Sequence, residues 1–416
     1  MQTKNNSSRR INRLTADSAI VLLFVVAMEI VIMISPFAAF FYAVFNPFLL
    51  ALNQSAATRW LTAFFLPHMM VPPSGVLVVI RILGSVLFLG GMAVFLVCVA
   101  QIYIGKLLKK GTVTGGLYLL SRHPQYVGLA FAALGLAIMW PRLLTLVLLT
   151  VMLLLYYALA RDEERRMTNR FGESYTAYRG RTGMFVPRPV ERFFARNVGL
   201  DERPGFVKVA GAFVLLFVVI VGSGFLLRSY TIHQLPIQQI RGIDVVTIAP
   251  EDTATASDLI PSVLEDSLVA SKLALLSDTG NHRILAYFLP IDYVMQGMIA
   301  NTGEEWKLFQ QHKTLAMITD YIFHPFAHLT GGHSHHMANM PHGPEMYALP
   351  AMKRRVIFLE VRGDPRVLSS SFDDFGIDVQ RIPLFFVDVH LHTAEILQVM
   401  DTPAGSGWGT VPTPMF

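Results

Sequence analysis

Residues that could do chemistry flank an apolar hairpin in the first half of the chain. Arg122-His123-Pro124 precedes the apolar run Val127 to Trp140, and Glu163-Glu164 follows the run Leu143 to Ala160. Only Pro141-Arg142 separates the two runs, which favours a helical hairpin turning there, because proline removes a helical hydrogen bond. The two ends of a hairpin lie together, so we expect His123 to meet the glutamates although 40 residues separate it from Glu163.

Two adjacent carboxylates at a membrane face could hold a cationic ligand. Tyr175 and Tyr178 are three residues apart and share a helical face. Carboxylates and aromatic faces together suit a ligand with an ammonium and a second onium centre, and S-adenosylmethionine carries both. Each feature alone has an ordinary explanation: a helix cap, a solvated helix face, or an aromatic belt at the membrane boundary.

The local sequence indicates how these residues are positioned. Pro124 suits the first turn of a helix, where its missing N–H is not needed. His123 would then lie at the helix N-terminus. Gly128, one turn further on, would allow a neighbouring helix or a ligand to approach closely.

The composition indicates a membrane protein. Hydrophobic residues make up 53% and charged residues 15% of the 416 residues, and the mean hydropathy is +0.47. A soluble domain carries about a quarter charged residues, so a soluble enzyme, a disordered chain and a coiled coil are excluded. The single cysteine, Cys98, excludes a disulfide framework, a cysteine-based zinc site and an iron–sulfur centre.

The apolar runs and the basic residues predict five spans and an orientation. Besides the hairpin, the long runs are Ser18 to Phe45, Ile82 to Ile104 and Val209 to Leu227. Residues 1–227 carry a net charge of +13, and residues 228–416 carry −8. Lys and Arg collect in cytoplasmic segments, so we expect the hairpin ends to face the cytoplasm and the last span to export the rest. For Asn46 to Ser74, an interfacial or re-entrant piece and a plain connecting loop are both open.

Five motifs follow one another in this part of the chain: Gly116-Leu117-Tyr118, Arg122-His123-Pro124-Gln125-Tyr126-Val127-Gly128, Glu163-Glu164, Phe171-Gly172-Glu173-Ser174-Tyr175-Thr176-Ala177-Tyr178 and Phe185-Val186-Pro187. Together they resemble the membrane-embedded methyltransferases of the isoprenylcysteine carboxyl methyltransferase and phospholipid methyltransferase superfamily. The resemblance covers about Gly75 to Arg188. Two departures, Leu117 at a position where the family often has proline and the apolar pair Leu119-Leu120, concern the acceptor more than the cofactor.

The resemblance implies an S-adenosylmethionine-dependent methyltransferase whose lipophilic acceptor enters from the bilayer. Arg122 or Arg161 would orient a carboxylate acceptor, whereas Glu163 would take the proton of an amine acceptor. The cofactor-binding residues that it implies are Gly116, Tyr118, His123, Tyr126, Gly128, Glu163, Glu164, Tyr175 and Tyr178.

The chain therefore divides into a methyltransferase-like membrane domain (1–204), a further transmembrane helix (205–228) and an extracytoplasmic domain (229–416). Short β-branched or aromatic runs in the last part predict strands, and apolar spacing predicts two helices, so an α+β or α/β fold is expected. The strands are Val245 to Ile248, Ile284 to Phe288, Val356 to Leu359 and Pro383 to Val387; the helices are Ser257 to Leu276 and Glu304 to Tyr321.

Residues 323–352 combine imidazole and thioether side chains, which suit copper, or zinc through histidine alone. A solvated loop without a fixed ligand is the alternative. The candidate ligands are His324, His328, His333, His335, His336 and His342.

Two other functions stay open. One is an NADPH-dependent membrane reductase of related fold, and the other is a non-catalytic, membrane-anchored metal-binding or assembly protein. We expect the lipid bilayer and a lipophilic acceptor as partners, and no nucleic acid; the oligomeric state is open. The exported part lacks disulfides and glycosylation sites, which favours a bacterial inner membrane with that part in the periplasm.

Overall fold

The computed structural model describes residues 48–67, 74–108, 113–198, 205–248, 251–277, 283–291, 293, 296, 299–300, 352–364 and 368–402. The predicted first span, Ser18 to Phe45, the predicted helix Glu304 to Tyr321 and the six candidate metal-binding histidines lie outside these residues.

The described residues before the C-terminal sheet include the helices α1 (Gly75–Leu107), α2 (Pro124–Met139), α3 (Leu143–Arg181), α4 (Arg188–Val198) and α5 (Phe206–His233). Among the described residues, α1, α3 and α5 are long and apolar enough to cross a membrane. The 16 residues of α2 fall short of the roughly 20 that a span needs. The predicted hairpin is present as α2 and α3, and Pro141 lies between them.

Close contact between glycines packs α1 against α2. A Cβ atom on Gly128 would lie 2.8 Å from the carbonyl oxygen of Gly91 and 2.9 Å from the backbone nitrogen of Phe95. A side chain on Gly135 would likewise meet the backbone of α1 at Gly84. Small residues allow membrane helices to approach this closely. Gly128 therefore serves the contact with a neighbouring helix, one of the two possibilities that the sequence left open.

Helix α3 is interrupted at Gly172, whose φ of 55° and ψ of −125° are not helical. Residues with a side chain rarely adopt this backbone conformation, and glycine tolerates it because it has no Cβ atom. The interruption redirects the chain after Phe171, so that the last turns of α3 run towards Arg122 and His123 rather than away from them.

Near the turn between α2 and α3, the loop around Phe64 is buried. The Arg142 guanidinium donates to the carbonyl of Thr62 and lies 4.1 Å from the centre of the Phe64 ring. Arg228, near the end of α5, donates to the carbonyls of Phe64 and Phe375. The segment Asn46 to Ser74 thus includes a loop packed into the protein, with a 3-10 turn at Arg59–Thr62. An apolar cluster surrounds it: Ala63, Phe65, Leu66, Leu77, Ala137, Leu143, Leu146 and Val221.

The C-terminal part contains a mixed sheet in the order β1-β2-β3-β4-β5-β6. The β1–β2 and β5–β6 pairs are antiparallel, and the β2–β3 pair is parallel. The four predicted strands are present as β2 to β5. The strands are β1 (Ile237–Ile240), β2 (Ile243–Thr247), β3 (Arg283–Pro290), β4 (Lys353–Arg362), β5 (Gln380–His390) and β6 (Ile396–Asp401).

Two helices, α6 (Asp252–Glu265) and α7 (Ser267–Ser277), connect β2 to β3. The prediction of one continuous helix over Ser257 to Leu276 was therefore wrong. The break lies at Asp266, whose backbone is extended and whose carboxylate accepts hydrogen bonds from the backbone N–H groups of Leu268 and Val269. This is an N-cap, which starts a new helix.

The chain divides into two compact units. Residues 56–289 and 359–381 belong to one unit, which contains α1 to α7. The other unit includes residues 382–402 and the first residues of β4. There, Phe358 stacks on Phe385 with ring centres 4.8 Å apart, and Arg355 pairs with the buried Asp388 at 2.6 Å.

Candidate active site

His123 is held by backbone hydrogen bonds at the start of α2. It is the N-cap residue, and Pro124 takes the first helical position, as the sequence predicted. The backbone N–H groups of Arg122 and His123 donate to the carbonyls of Gly183 and Met184, at 2.9 and 3.1 Å. The segment after α3 therefore fixes the loop that carries His123.

The imidazole of His123 lies between two carboxylates. Its Nδ1 is 3.6 Å from an oxygen of Glu163, and its Nε2 is 3.6 Å from an oxygen of Glu164. His123 is buried, with 2% of its side chain exposed, whereas the Glu163 side chain is 39% exposed and that of Glu164 is 11% exposed. The hairpin thus brings the histidine and the glutamates together, and Glu163 is the carboxylate that a ligand can reach.

Arg122 joins Glu164 to the end of α3. Its Nε donates to Glu164 at 2.5 Å, and its Nη1 donates to the carbonyls of Arg179, at 3.1 Å, and Thr182. The last carbonyls of a helix lack partners within the helix, and cationic side chains satisfy them. Arg122 therefore caps α3 and neutralises Glu164.

Two opposing effects act on the pKa of His123. Burial disfavours the charged imidazole, but the negative charges of Glu163 and Glu164, each 3.6 Å from a ring nitrogen, favour it. The carboxylates prevail, so the pKa of His123 is raised above its ordinary value. Protonation of His123 lowers the net negative charge that His123, Glu163 and Glu164 carry together.

Aromatic rings continue the site along α2 and α3. The ring of His123 stacks on Tyr126 with centres 5.6 Å apart, and Tyr126 stacks on Tyr156 at 5.2 Å. Phe185 lies on another side of His123, at 6.0 Å and tilted. These contacts fix the plane of the imidazole.

The interruption of α3 at Gly172 brings the two predicted tyrosines to the same region. Tyr178 donates its hydroxyl to the carbonyl of Tyr118 at 2.6 Å, and its ring centre lies 5.9 Å from that of Tyr175. Tyr118 in turn donates to Gln125 at 3.2 Å. Burial, together with the neighbouring Cys98 and Glu163, raises the pKa of Tyr118, so its hydroxyl stays a neutral donor.

Gly116 starts the short helical turn Gly116–Leu119 with a positive φ of 62°. A Cβ atom there would be strained, and it would also collide with the amide of Gln101 on α1. Gly116 therefore shapes the loop that carries Tyr118.

Two predicted site residues have other neighbours. Arg161 lies over the ring of Tyr157, whose ring packs 5.9 Å from Phe213 on α5. Gly128 packs against α1, as described above. The remaining predicted residues of the methyltransferase site gather around His123 and Tyr118.

Several neighbours of the site were not predicted. Tyr156 is eight residues before Glu164, two helical turns away on the same face of α3, and this spacing could have identified it. Phe185 belongs to the motif Phe185-Val186-Pro187, but the sequence predicted no contact between it and His123. The backbone partners of Arg122 carry no sequence signal.

No cluster of three or more His, Cys, Asp or Glu able to hold a metal is present within the described ranges. The histidines at 324–342 lie beyond those ranges, so copper or zinc binding there stays a prediction.

Among the comparisons with known proteins, one family model matches part of the chain. No curated protein and no solved structure matches the chain. The model of the phospholipid methyltransferase family matches residues 100–174, which include His123, Glu163 and Glu164. That family implies a methyltransferase, and together with the long apolar helices it indicates an integral membrane protein. The resemblance of this segment to the isoprenylcysteine and phospholipid methyltransferases is thereby confirmed.

Proposed function

We propose that the protein is an S-adenosylmethionine-dependent methyltransferase that methylates a lipophilic acceptor at the membrane. One observation carries the proposal. Within the family-matched segment, a buried imidazole lies 3.6 Å from each of two carboxylates, one of which is partly exposed. Buried ionisable groups that perturb each other are typical of functional sites.

The side chains around His123 fit S-adenosylmethionine. Glu163 is partly exposed and would hold the ammonium group or the ribose hydroxyls of the cofactor. Tyr175 and Tyr178 would pack on the adenosine or beside the acceptor. Their aromatic faces would also attract the onium groups of the cofactor. Bound S-adenosylmethionine supplies an electrophilic methyl group, which the lone pair of an acceptor takes while the sulfonium becomes a neutral thioether.

The site residues then divide into two roles. Glu163 contacts the cofactor, and it would take the proton if the acceptor is an amine. Arg122 is a positioning residue, because Glu164 and two carbonyls already accept hydrogen bonds from its guanidinium. If the acceptor is a carboxylate, Arg161 is the cation with more freedom to orient it, since its hydrogen bond to the Tyr157 hydroxyl is long, at 3.4 Å.

A lipophilic acceptor agrees with the surroundings of the site. The helices α1, α3 and α5 expose large apolar side chains, including Leu89, Leu148 and Val218. In a bilayer these faces contact acyl chains. An acceptor dissolved in the membrane can therefore diffuse to the protein without entering water.

The test is transfer of a labelled methyl group. Purified protein is incubated with methyl-labelled S-adenosylmethionine and a membrane lipid extract, and the lipid phase is analysed for label. We expect label in a lipid product with the natural chain and a loss of about tenfold or more with Glu163→Gln, because hydrogen bonds to charged groups contribute about 1.5–3 kcal/mol.

Glu173→Gln is the matched control. It is the same substitution on the same helix, at an exposed position, and we expect it to keep the natural rate. Absence of labelled lipid with the natural chain, or equal loss in both variants, would contradict the proposal.

A further inference from the structure

Helix α4, which follows the site along the chain, has the character of a membrane-surface helix. Arg188, Arg192 and Arg196 recur every four residues, so they fall within about 80° of the helix circumference at roughly 100° per residue. Val190 lies about 160° and Phe193 about 100° from the centre of this arginine face, so both lie outside it. Two faces of this kind are typical of helices that lie in the plane of the bilayer surface.

The apolar face of α4 is exposed. Phe193 is 63% exposed and Val190 is 40% exposed, and Val186 just before the helix is exposed as well. The basic side carries Arg192, which is also exposed. A large aromatic side chain in water is unfavourable, and the boundary between headgroups and acyl chains accommodates both faces at once.

The position of α4 in the chain agrees with a membrane surface. It lies between α3 and α5, both long enough to cross a membrane. Helix α5 begins with the exposed apolar residues Phe206 and Val207, eight residues after the last residue of α4. This end of α3 also carries the basic residues Arg179 and Arg181.

Helix α4 is fastened to the candidate active site through Glu191. The carboxylate of Glu191 accepts a hydrogen bond from the backbone N–H of Met184 at 3.2 Å and pairs with Arg188 at 2.9 Å. The carbonyl of Met184 accepts the N–H of His123. The depth of α4 in the bilayer therefore sets the depth of His123.

We infer that α4 lies in the bilayer surface and that its exposed Arg192 binds the headgroups of anionic phospholipids. Guanidinium groups bind phosphate through paired hydrogen bonds, and anionic lipid surfaces attract basic segments. The inference concerns the bilayer and not the methyl donor, so it can fail while the proposed function stands, and the reverse also holds.

The depth of α4 can be measured with spin labels on the full chain in lipid nanodiscs. Single cysteines replace Phe193, Leu89 in the middle of α1, and the exposed Glu173, in a Cys98→Ala background. We expect the ratio of oxygen to nickel-complex accessibility at position 193 to lie between the ratios at positions 89 and 173. A ratio equal to that at 173 would place α4 in water, or on a protein partner, and would overturn the inference; a ratio equal to that at 89 would also overturn it.

Lipid selectivity gives a second readout. Spin-labelled phosphatidylglycerol should be motionally restricted by the protein to a greater extent than spin-labelled phosphatidylcholine. Arg192→Gln should lower this preference by up to about fivefold, because each arginine near an anionic surface contributes about 1 kcal/mol. Arg241→Gln, at an exposed arginine of the C-terminal part, should leave it unchanged. Equal binding of the two lipids, or an unchanged preference in Arg192→Gln, would overturn the inference.

Discussion

At the scale of single residues, the site depends on opposite charges brought together at the end of a hairpin. His123 is buried between Glu163 and Glu164, and Arg122 balances Glu164 from the other side. Buried charges are costly unless they are paired. The arrangement keeps Glu164 occupied within the protein and leaves Glu163 accessible, which is why we propose ligand binding for Glu163 and a structural role for Glu164.

The raised pKa of His123 predicts a pH dependence of stability. Burial opposes protonation, but the two carboxylates outweigh it. The stabilisation is complete below the ordinary imidazole pKa of about 6.5 and is lost as the pH rises through the raised pKa of the folded state. In thermal unfolding in detergent, the natural chain should therefore lose more stability between about pH 6 and about pH 9 than His123→Asn.

His392→Asn serves as the control for this measurement, since His392 is exposed. That variant should follow the pH dependence of the natural chain. The assignment would be wrong if His123→Asn and the natural chain lost stability equally over the same pH range.

The sequence was sufficient to predict the meeting of His123 with the glutamates, because it needs only a proline-bounded hairpin and the side-chain types. It was not sufficient for the role of Arg122. That role depends on backbone carbonyls of Arg179 and Thr182, which every residue possesses. They reach Arg122 only because the chain turns back at Gly172, and a glycine in a helical sequence does not by itself specify a turn.

At the scale of helices, glycine contacts determine how α1 and α2 pack. Gly84 and Gly91 on α1 oppose Gly135 and Gly128 on α2. On each helix the two contact glycines are seven residues apart, which places them on one face. Glycine is frequent in membrane helices, so this spacing did not reveal the contact before the structure was known.

Adjacent glycines on α1 allow a matched test of this packing. A methyl group at Gly91 would meet the backbone of Gly128 and Ala132, whereas one at Gly90 would meet nothing within 4 Å. We expect Gly91→Ala to lower the free energy of unfolding by about 1–3 kcal/mol, as overpacking does. Gly90→Ala should be neutral or slightly stabilising. Unfolding in detergent of both variants measures the difference, and equal stabilities would rule out the proposed contact.

The strands illustrate what local patterns can and cannot predict. Short β-branched and aromatic runs identified β2 to β5, which are largely buried. They did not identify β1 or β6, whose side chains are mostly part-exposed or exposed. An exposed strand lacks a continuous apolar run, and its existence follows from pairing with a neighbour. The break at Asp266 was missed for a different reason. The apolar spacing continues through this position, but the single capping side chain of Asp266 starts a new helix there.

At the scale of the whole molecule, the site and the buried arginines lie at opposite ends of α2. His123 precedes its first residue, and Arg142 follows its last turn. Arg228 connects that second end to the carbonyl of Phe375, in the C-terminal part of the chain. With the distribution of positive charge, this predicts a cytoplasmic site and an exported C-terminal part.

Reporter fusions test the sidedness. Alkaline phosphatase is active only after export, so a fusion after Val198 should be inactive and a fusion after Thr402 active in a bacterial host. A fluorescent protein that folds only in the cytoplasm should give the opposite pattern at the same two positions. Export of the first fusion, or retention of the second, would contradict the predicted orientation.

The most direct measurement of the central claim is binding of S-adenosylmethionine by titration calorimetry in detergent or nanodiscs. We predict saturable binding to the natural chain, affinity weakened by about tenfold or more in Glu163→Gln, and unchanged affinity in Glu173→Gln. Undetectable binding by the natural chain, or equal affinities for all three proteins, would contradict the assignment of the site around His123 to the methyl donor.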